Sequence, residues 1–316
     1  MNSRGEDVSL PVYVFSYNRG RYLRNCLASL VRHLPAGATV TVIDDGSTDP
    51  EVHSTLAEYS GACDAVIAGT ESRMYLGGLY GNMQYALEHS TGADIALFIQ
   101  DDMQVVRDID NNDLEHWSRF FECYPQSMEL YCCFIKEKQT TSRKQNIQID
   151  HDVPVYFRDA RTSRRAYFSA VGLFHVGRMR QAEWVFEASE GENNRRGGEH
   201  GAHMGVTPWP FMMWLPNAES AKFRRRGLLH RYAEWHAGVG FYPYRAMSED
   251  QIASLRKRPL ESLPVAESLL EPIGMDTKQP WLFEDATKAI KPIHRILKRV
   301  KKRQVARSRK QADHDR

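Results

Sequence analysis

The sequence predicts an α/β protein with a mainly parallel sheet covered by helices, and three observations carry that prediction. Residues 11–17, PVYVFSY, are β-branched and aromatic, as a strand requires. Residues 38–43, ATVTVI, repeat that character, and 94–99, DIALFI, form a third apolar run. Between the first two, Tyr22, Leu23, Cys26, Leu27, Leu30, Val31 and Leu34 recur at three- and four-residue steps, with Arg21, Arg24 and Arg32 on the other side. That spacing predicts an amphipathic helix from about Gly20 to His33, ended by Pro35 and Gly37. Met83, Tyr85, Ala86 and Leu87 mark a further helix before the third strand, and Val52 and Leu56 mark a possible one after Ser47, Thr48 and Asp49. Beyond Tyr242, the run GFYPYRAMSEDQIASLRKRP opens on turn signals and becomes helical.

The chain has 316 residues and 42% hydrophobic content, enough for a large core, so disorder throughout is excluded. No stretch approaches the roughly 18 apolar residues a membrane span needs. The start, MNSRGEDVSL, places acidic residues where a signal peptide needs an apolar centre, which predicts a cytoplasmic protein. The five cysteines form no CxxC pair or regular framework, arguing against disulfide staples and a structural zinc site.

Net charge is +2, but residues 286–316 hold 12 basic and 2 acidic side chains, leaving 30 basic and 38 acidic before them. Within this tail Ile290, Ile293, Ile296, Leu297 and Val300 fall at helical spacing among lysines and arginines. The reading ranked first is an anionic membrane surface bound through 288–310, ahead of a merely solvated terminus, with nucleic acid last. The expected division is 1–110, 111–240 and 241–316: two halves of one domain and a C-terminal extension. Residues 188–205, ASEGENNRRGGEHGAHMG, carry five glycines and read as a long, mobile, functional loop.

Acidic and turn-forming residues follow two of the strands: Asp44, Asp45, Gly46 and Ser47 after the second, Asp101 and Asp102 after the third. Ligands of open α/β sheets bind outside the carboxyl ends of the strands, so both pairs should face one crevice. Three ordered pieces, FSYNRGRYLRNCLASL, VIDDGSTD and YLGGLYGNMQYALEHSTGADIALFIQDDM, resemble the GT-A-fold glycosyltransferases of the large family-2 type. The resemblance covers residues 10–105 well and the middle loosely. It implies a Rossmann-like nucleotide-binding sheet and inverting transfer of a sugar from a nucleotide-diphosphate donor, a UDP-sugar foremost, to a hydroxyl of a glycan or lipid-linked acceptor.

The same resemblance implies roles. Ser16, Tyr17 and Asn18 end the first strand, where the Tyr17 ring can stack on a nucleobase or simply close a turn. Asp45 stands where the family accepts a hydrogen bond from the base, and Asp44 would serve ribose or local backbone; N-capping is compatible with both. Asp102 keeps the metal position, for Mn²⁺ or Mg²⁺, where Gln100 replaces the first Asp of the usual Asp-x-Asp and Asp101 could contact ribose or an ion-bound water. Arg73 could contact the diphosphate, with Gly77, Gly78 and Gly81 permitting close backbone approach or serving helix packing alone, because the usual arginine is absent at Tyr80-Gly81-Asn82. SAVGLFHVGRMRQAEW resembles the stretch under the donor sugar. Among Glu187, Glu190, Glu192 and Glu199 after it, Glu199 is the chosen base, with Glu192 next. His200 and His203 read as polar loop residues, and His230 or His236 could add a metal ligand. Trp209, Phe211, Trp214 and Trp235 are candidate sugar platforms or core. The alternative is a catalytically degenerate scaffold that binds nucleotide-sugar or membrane; a nucleotidyltransferase is disfavoured because its glycine-rich, basic signature is missing.

Overall fold

The computed structural model describes residues 9–67, 78–90, 92–140, 147–163, 165–219, 231–232, 234–235, 237–275 and 281–283. Arg73, Gly77, His230, His236 and the basic tail 288–310 lie outside the described residues.

The elements follow in chain order: β1 (Leu10–Ser16), α1 (Gly20–His33), β2 (Ala38–Asp44), α2 (Pro50–Glu58), β3 (Asp64–Ile67), α3 (Gly78–His89), β4 (Ala96–Gln100), β5 (Met103–Val105) and α4 (Asn111–Cys123). Then come β6 (Glu129–Tyr131), β7 (Ile147–Asp150), β8 (Val155–Arg158), β9 (Gly172–Phe174), α5 (Val176–Gln181), α6 (Glu190–Glu199), β10 (Gly205–Val206), β11 (Met212–Trp214), α7 (Glu249–Lys257) and α8 (Ala266–Leu269).

One nine-stranded sheet, in the order β3-β2-β1-β4-β9-β6-β10-β8-β7, forms the centre, and β5 pairs with β11 beside it. All its strands except β8 and β9 run the same way. β1 and β4 are apolar on both faces because helices cover both sides, as parallel strands require. α1 buries Tyr22, Leu23, Cys26, Leu27 and Leu30, each large side chain contributing roughly 1.5–3 kcal/mol. Val31, expected on that stripe, is 56% exposed instead.

The stretch expected to be a long loop contains α6. Ser189 accepts the Glu192 N–H at 3.3 Å and donates its hydroxyl to the Glu192 carboxylate, which caps the first turn. The glycines serve packing here: a β-carbon at Gly197 would sit 2.9 Å from the Tyr167 Cβ. Tyr244, Met247, Leu255, Leu263, Trp281 and Phe283 share the main core with β1 and β4, so the described part of the C-terminal segment is packed on the sheet.

Candidate active site

The site begins where the chain order of strands reverses, between β1 and β4. The register sets Ser16 beside Asp44 and Phe15 beside Gln100. Asp45 N–H donates to the Ser16 carbonyl and Asp101 N–H to the Phe15 carbonyl, extending both ladders one residue past the strands. Asp45 and Asp101 therefore leave the sheet at the same edge, two strand spacings or about 10 Å apart.

Two carboxylates at this edge build the loops. Asp44 is fully buried and accepts the Ser47 N–H at 2.7 Å and its hydroxyl at 2.6 Å, the local-backbone contact among the two roles implied for it. Asp101, also fully buried, accepts the Tyr17 N–H at 3.0 Å and an arm of Arg19. Both carboxylates are thus engaged inside the protein, whereas the resemblance implies a ribose or ion-bound-water contact for Asp101. Burial pushes the Asp101 carboxyl up to about 6, against the pull of Arg19.

Asn18 adopts φ 51°, a left-handed conformation that asparagine tolerates, and its side-chain carbonyl accepts the Thr48 and Asp49 N–H groups at 2.7 and 3.1 Å. The loops after β1 and β2 are thus tied together. Asp45 is half-buried, and its Oδ1 accepts the Gly78 N–H at 2.9 Å, at the start of α3. Tyr17 is half-buried, and the Ser16 hydroxyl is buried with no hydrogen-bond partner among the described residues.

The sequence reading missed Arg19. From the N-cap of α1 it donates one arm to Asp102 Oδ2 at 2.7 Å and the other to Asp101, bridging the acidic pair. Its burial opposes the charge, yet the two carboxylates hold its pKa above the ordinary arginine value. The signal lay in the first turn of the helix, Asn-Arg-Gly, where only the fold brings a cation onto residues 82 and 83 positions away.

Asp102 lines a cavity of about 570 Å³ together with Gln100, and its second oxygen, Oδ1, is buried without a hydrogen-bond partner among the described residues. That orphaned acceptor fits a divalent cation, which completes its shell with donor oxygens outside the protein. No group of three or more His, Cys, Asp or Glu that could hold an ion occurs among the described residues.

The cavity floor comes from the segment before β9, where Ser169 and Ala170 line it, and Trp214 of β11 stands in the wall. Ser169 N–H donates to the buried Glu129 carboxylate, which fixes this floor to β6. Glu190, in the first turn of α6, faces the cavity and pairs with Arg165 at 3.0 Å. Glu199, the expected base, is at the opposite end of α6; it pairs with Arg195 and does not line the cavity. Glu192 is occupied in the helix cap. Trp209 packs edge-on to His116, Phe211 is fully buried, and Trp235 is 75% exposed, leaving Trp214 as the cavity tryptophan. His200 packs on Trp184 and His203 on Tyr167.

A 3-2-1-4 strand order with acidic residues leaving β2 and β4 and an opposed β9 under the cavity is the GT-A arrangement. The chain belongs to glycosyl transferase family 2, whose model matches residues 12–180. Similar solved structures include the Staphylococcus aureus TarS 1–349 in complex with UDP, at 16% identity and TM-score 0.48 over 65% of this chain and 60% of that one. A second TarS structure has 16% identity and TM-score 0.49, over 78% of this chain and 42% of that one. The mannosyltransferase PcManGT from Pyrobaculum calidifontis, in complex with GDP-Man and Mn²⁺, has 16% identity and TM-score 0.43 over 71% and 61%. The chain thus spans less than two thirds of the length of these TarS and PcManGT chains. No curated protein matches it. No helix among the described residues is long and apolar enough to cross a membrane.

Proposed function

We propose that the protein transfers a sugar with inversion from a nucleotide-diphosphate donor to an acceptor hydroxyl, with a divalent ion held by Asp102. The observation that carries this reading is the Asp102 oxygen left without a partner, at the cavity end of β4 and beside the exits of β1 and β2. Tyr17 and Asp45 would receive the base over β1 and β2, and Ser16 and Asn18 shape that loop. Mn²⁺ or Mg²⁺, when bound, neutralises charge that develops on the departing diphosphate. The segment before β9 supports the donor sugar from below. Glu190 is the carboxylate placed to take the acceptor proton, in preference to Glu199, because it lines the cavity and Glu199 does not. Arg73, outside the described residues, remains a proposed diphosphate contact, and the tail 288–310 a proposed contact with an anionic membrane that would bring a lipid-linked acceptor near.

The test is incubation with a panel of nucleotide-sugars and Mn²⁺, reading free nucleotide diphosphate. Metal-dependent release that disappears in Asp102→Ala supports the reading. The scaffold alternative draws on Arg19, which already neutralises the acidic pair. Tight nucleotide-sugar binding with no turnover under any metal would establish it instead.

A further inference from the structure

Among the described residues two large aromatic side chains stand exposed, Tyr232 at 62% and Trp235 at 75%, and they stand together. Their ring centres are 5.9 Å apart, with the planes inclined at 40°. Neither ring belongs to the hydrophobic core, so the fold gains no core burial from either. Apolar surface gathered in one exposed place marks a contact with something outside the chain.

Backbone hydrogen bonds fix where this pair stands. Arg231, Tyr232, Glu234 and Trp235 are helical, and the chain turns at Gly238, whose φ of 64° is left-handed. The Gly238 N–H donates to the Trp235 carbonyl at 3.1 Å and the Val239 N–H to the Glu234 carbonyl at 2.8 Å, the two bonds of a glycine-terminated helix end. Val239 lines the reaction cavity. Asn217, in the same lining, donates its side-chain amide to the Ala237 carbonyl at 3.2 Å and accepts the Gly240 N–H at 3.1 Å. The rings are thus held at a set offset from the cavity wall, while neither is part of its lining.

On the transferase reading above, the donor occupies the cavity, and its diphosphate suits the cations in the lining, Lys136, Lys138, Arg158 and Arg165. A volume of about 570 Å³ holds one ligand of drug size, and the donor is already a ligand of that size. An acceptor longer than its reacting unit must therefore cross the rim. The wall it would follow carries Trp214 inside the cavity and, three residues on, the Asn217 that secures the helix end bearing Trp235. Resting on that reading, we propose that Tyr232 and Trp235 form an outer saccharide subsite, and that the acceptor is an oligosaccharide or glycan chain running from Trp214 over the rim onto this pair. One face of a pyranose is C–H surface that lies flat on an aromatic ring, and its edge keeps its hydroxyls in water, as an exposed ring allows. Two rings fall far short of the roughly 800 Å² per partner that a stable protein interface buries.

Fluorescence titration and calorimetry of the full chain test this, with cellohexaose, chitohexaose and mannohexaose as probes, their monosaccharides and UDP as comparisons, and phosphatidylglycerol vesicles as a lipid arm. At least one hexasaccharide should bind about tenfold or more tightly than its monosaccharide. Tyr232→Ser/Trp235→Ser, at exposed positions where folding is not at stake, should weaken that hexasaccharide by about tenfold and keep UDP within about twofold. Tyr232→Phe/Trp235→Phe keeps flat rings and should retain hexasaccharide affinity within about threefold. No hexasaccharide binding by the unaltered protein, or binding indifferent to the double serine variant, would overturn the proposal. Equal loss of UDP would do so by assigning the rings to the donor, and loss of vesicle sedimentation in that variant by assigning them to a lipid surface. Turnover is read separately: no diphosphate release from any nucleotide-sugar, with ring-dependent saccharide binding intact, strikes the transferase reading, whereas turnover without such binding strikes this one.

Discussion

Arg107 and Arg158 are both buried arginines, 1% and 7% exposed, and they are treated in opposite ways. Arg107 forms a two-pronged pair with Asp113 at 2.7 and 2.9 Å, and its remaining donors reach the carbonyls of Pro210, Asp108 and Trp209. Its charge is answered inside the protein. Arg158 has one carbonyl partner and no carboxylate in range among the described residues. The contrast separates an arginine whose charge is answered within the fold from one whose charge is not, and burial alone does not distinguish them.

Arg107→Met should cost about 3 kcal/mol in urea unfolding, because it removes the two-pronged partner of buried Asp113 and leaves it Arg256 at 3.1 Å, whereas Arg158→Met should leave stability within about 1 kcal/mol or raise it. Equal losses would dissolve the contrast. The glutamates of α6 extend the same logic to turnover: Glu190→Gln should reduce donor-dependent transfer by roughly a hundredfold or more, as loss of a general base does. Glu199→Gln, in an exposed pair, should stay within about twofold, since such pairs contribute little. Reversed results would return the base to Glu199.

Arg19 is an intermediate case, a cation answered by carboxylates that the substrate complex also needs. A charged hydrogen bond contributes about 1.5–3 kcal/mol net, so Arg19→Gln should tighten Mn²⁺ binding by at least about tenfold, read by titration calorimetry. Unchanged affinity would mean that Arg19 and the ion do not compete. The smallest expected effect is in pH. With its pKa lowered to about 8, Lys136 keeps its full burial penalty below that pH, and stability of the free protein rises as pH climbs from about 8 to 10.5. A flat stability profile over that range, read by urea unfolding, would mean that Lys136 is no harder to charge in the folded protein than in the unfolded chain.

Local pattern made much of the donor half readable. The leucine spacing of α1, the Ser47-Thr48-Asp49 turn before α2 and the helical run beyond Tyr242 are short-range signals, and helices formed in all three places. Glycine content misled the reading of α6, because glycines weaken helix propensity while here they allow Tyr167 to pack closely. Asp44 and Asp101 were recognisable as strand-end acids, but whether a carboxylate faces outward or ties a loop depends on partners such as Ser47 and Arg19. Lys136 and Arg158 carried no sequence signal at all; β6 and β8 become neighbours only by way of β10, whose residues come much later in the chain.

β9 runs against both of its neighbours, β4 and β6, so the chain reaches it from the catalytic edge of the sheet. At Gly172, φ is 146° and a β-carbon would meet the Leu130 carbonyl at 2.8 Å, which presses the backbone flat onto its neighbour at the point of arrival. The consequence is mechanical coupling: the strip just before β9 is clamped from two sides, by Ser169 on the Glu129 carboxylate and by the Tyr167 N–H on the Asn194 side chain of α6, so a shift in this ledge is passed directly to α6.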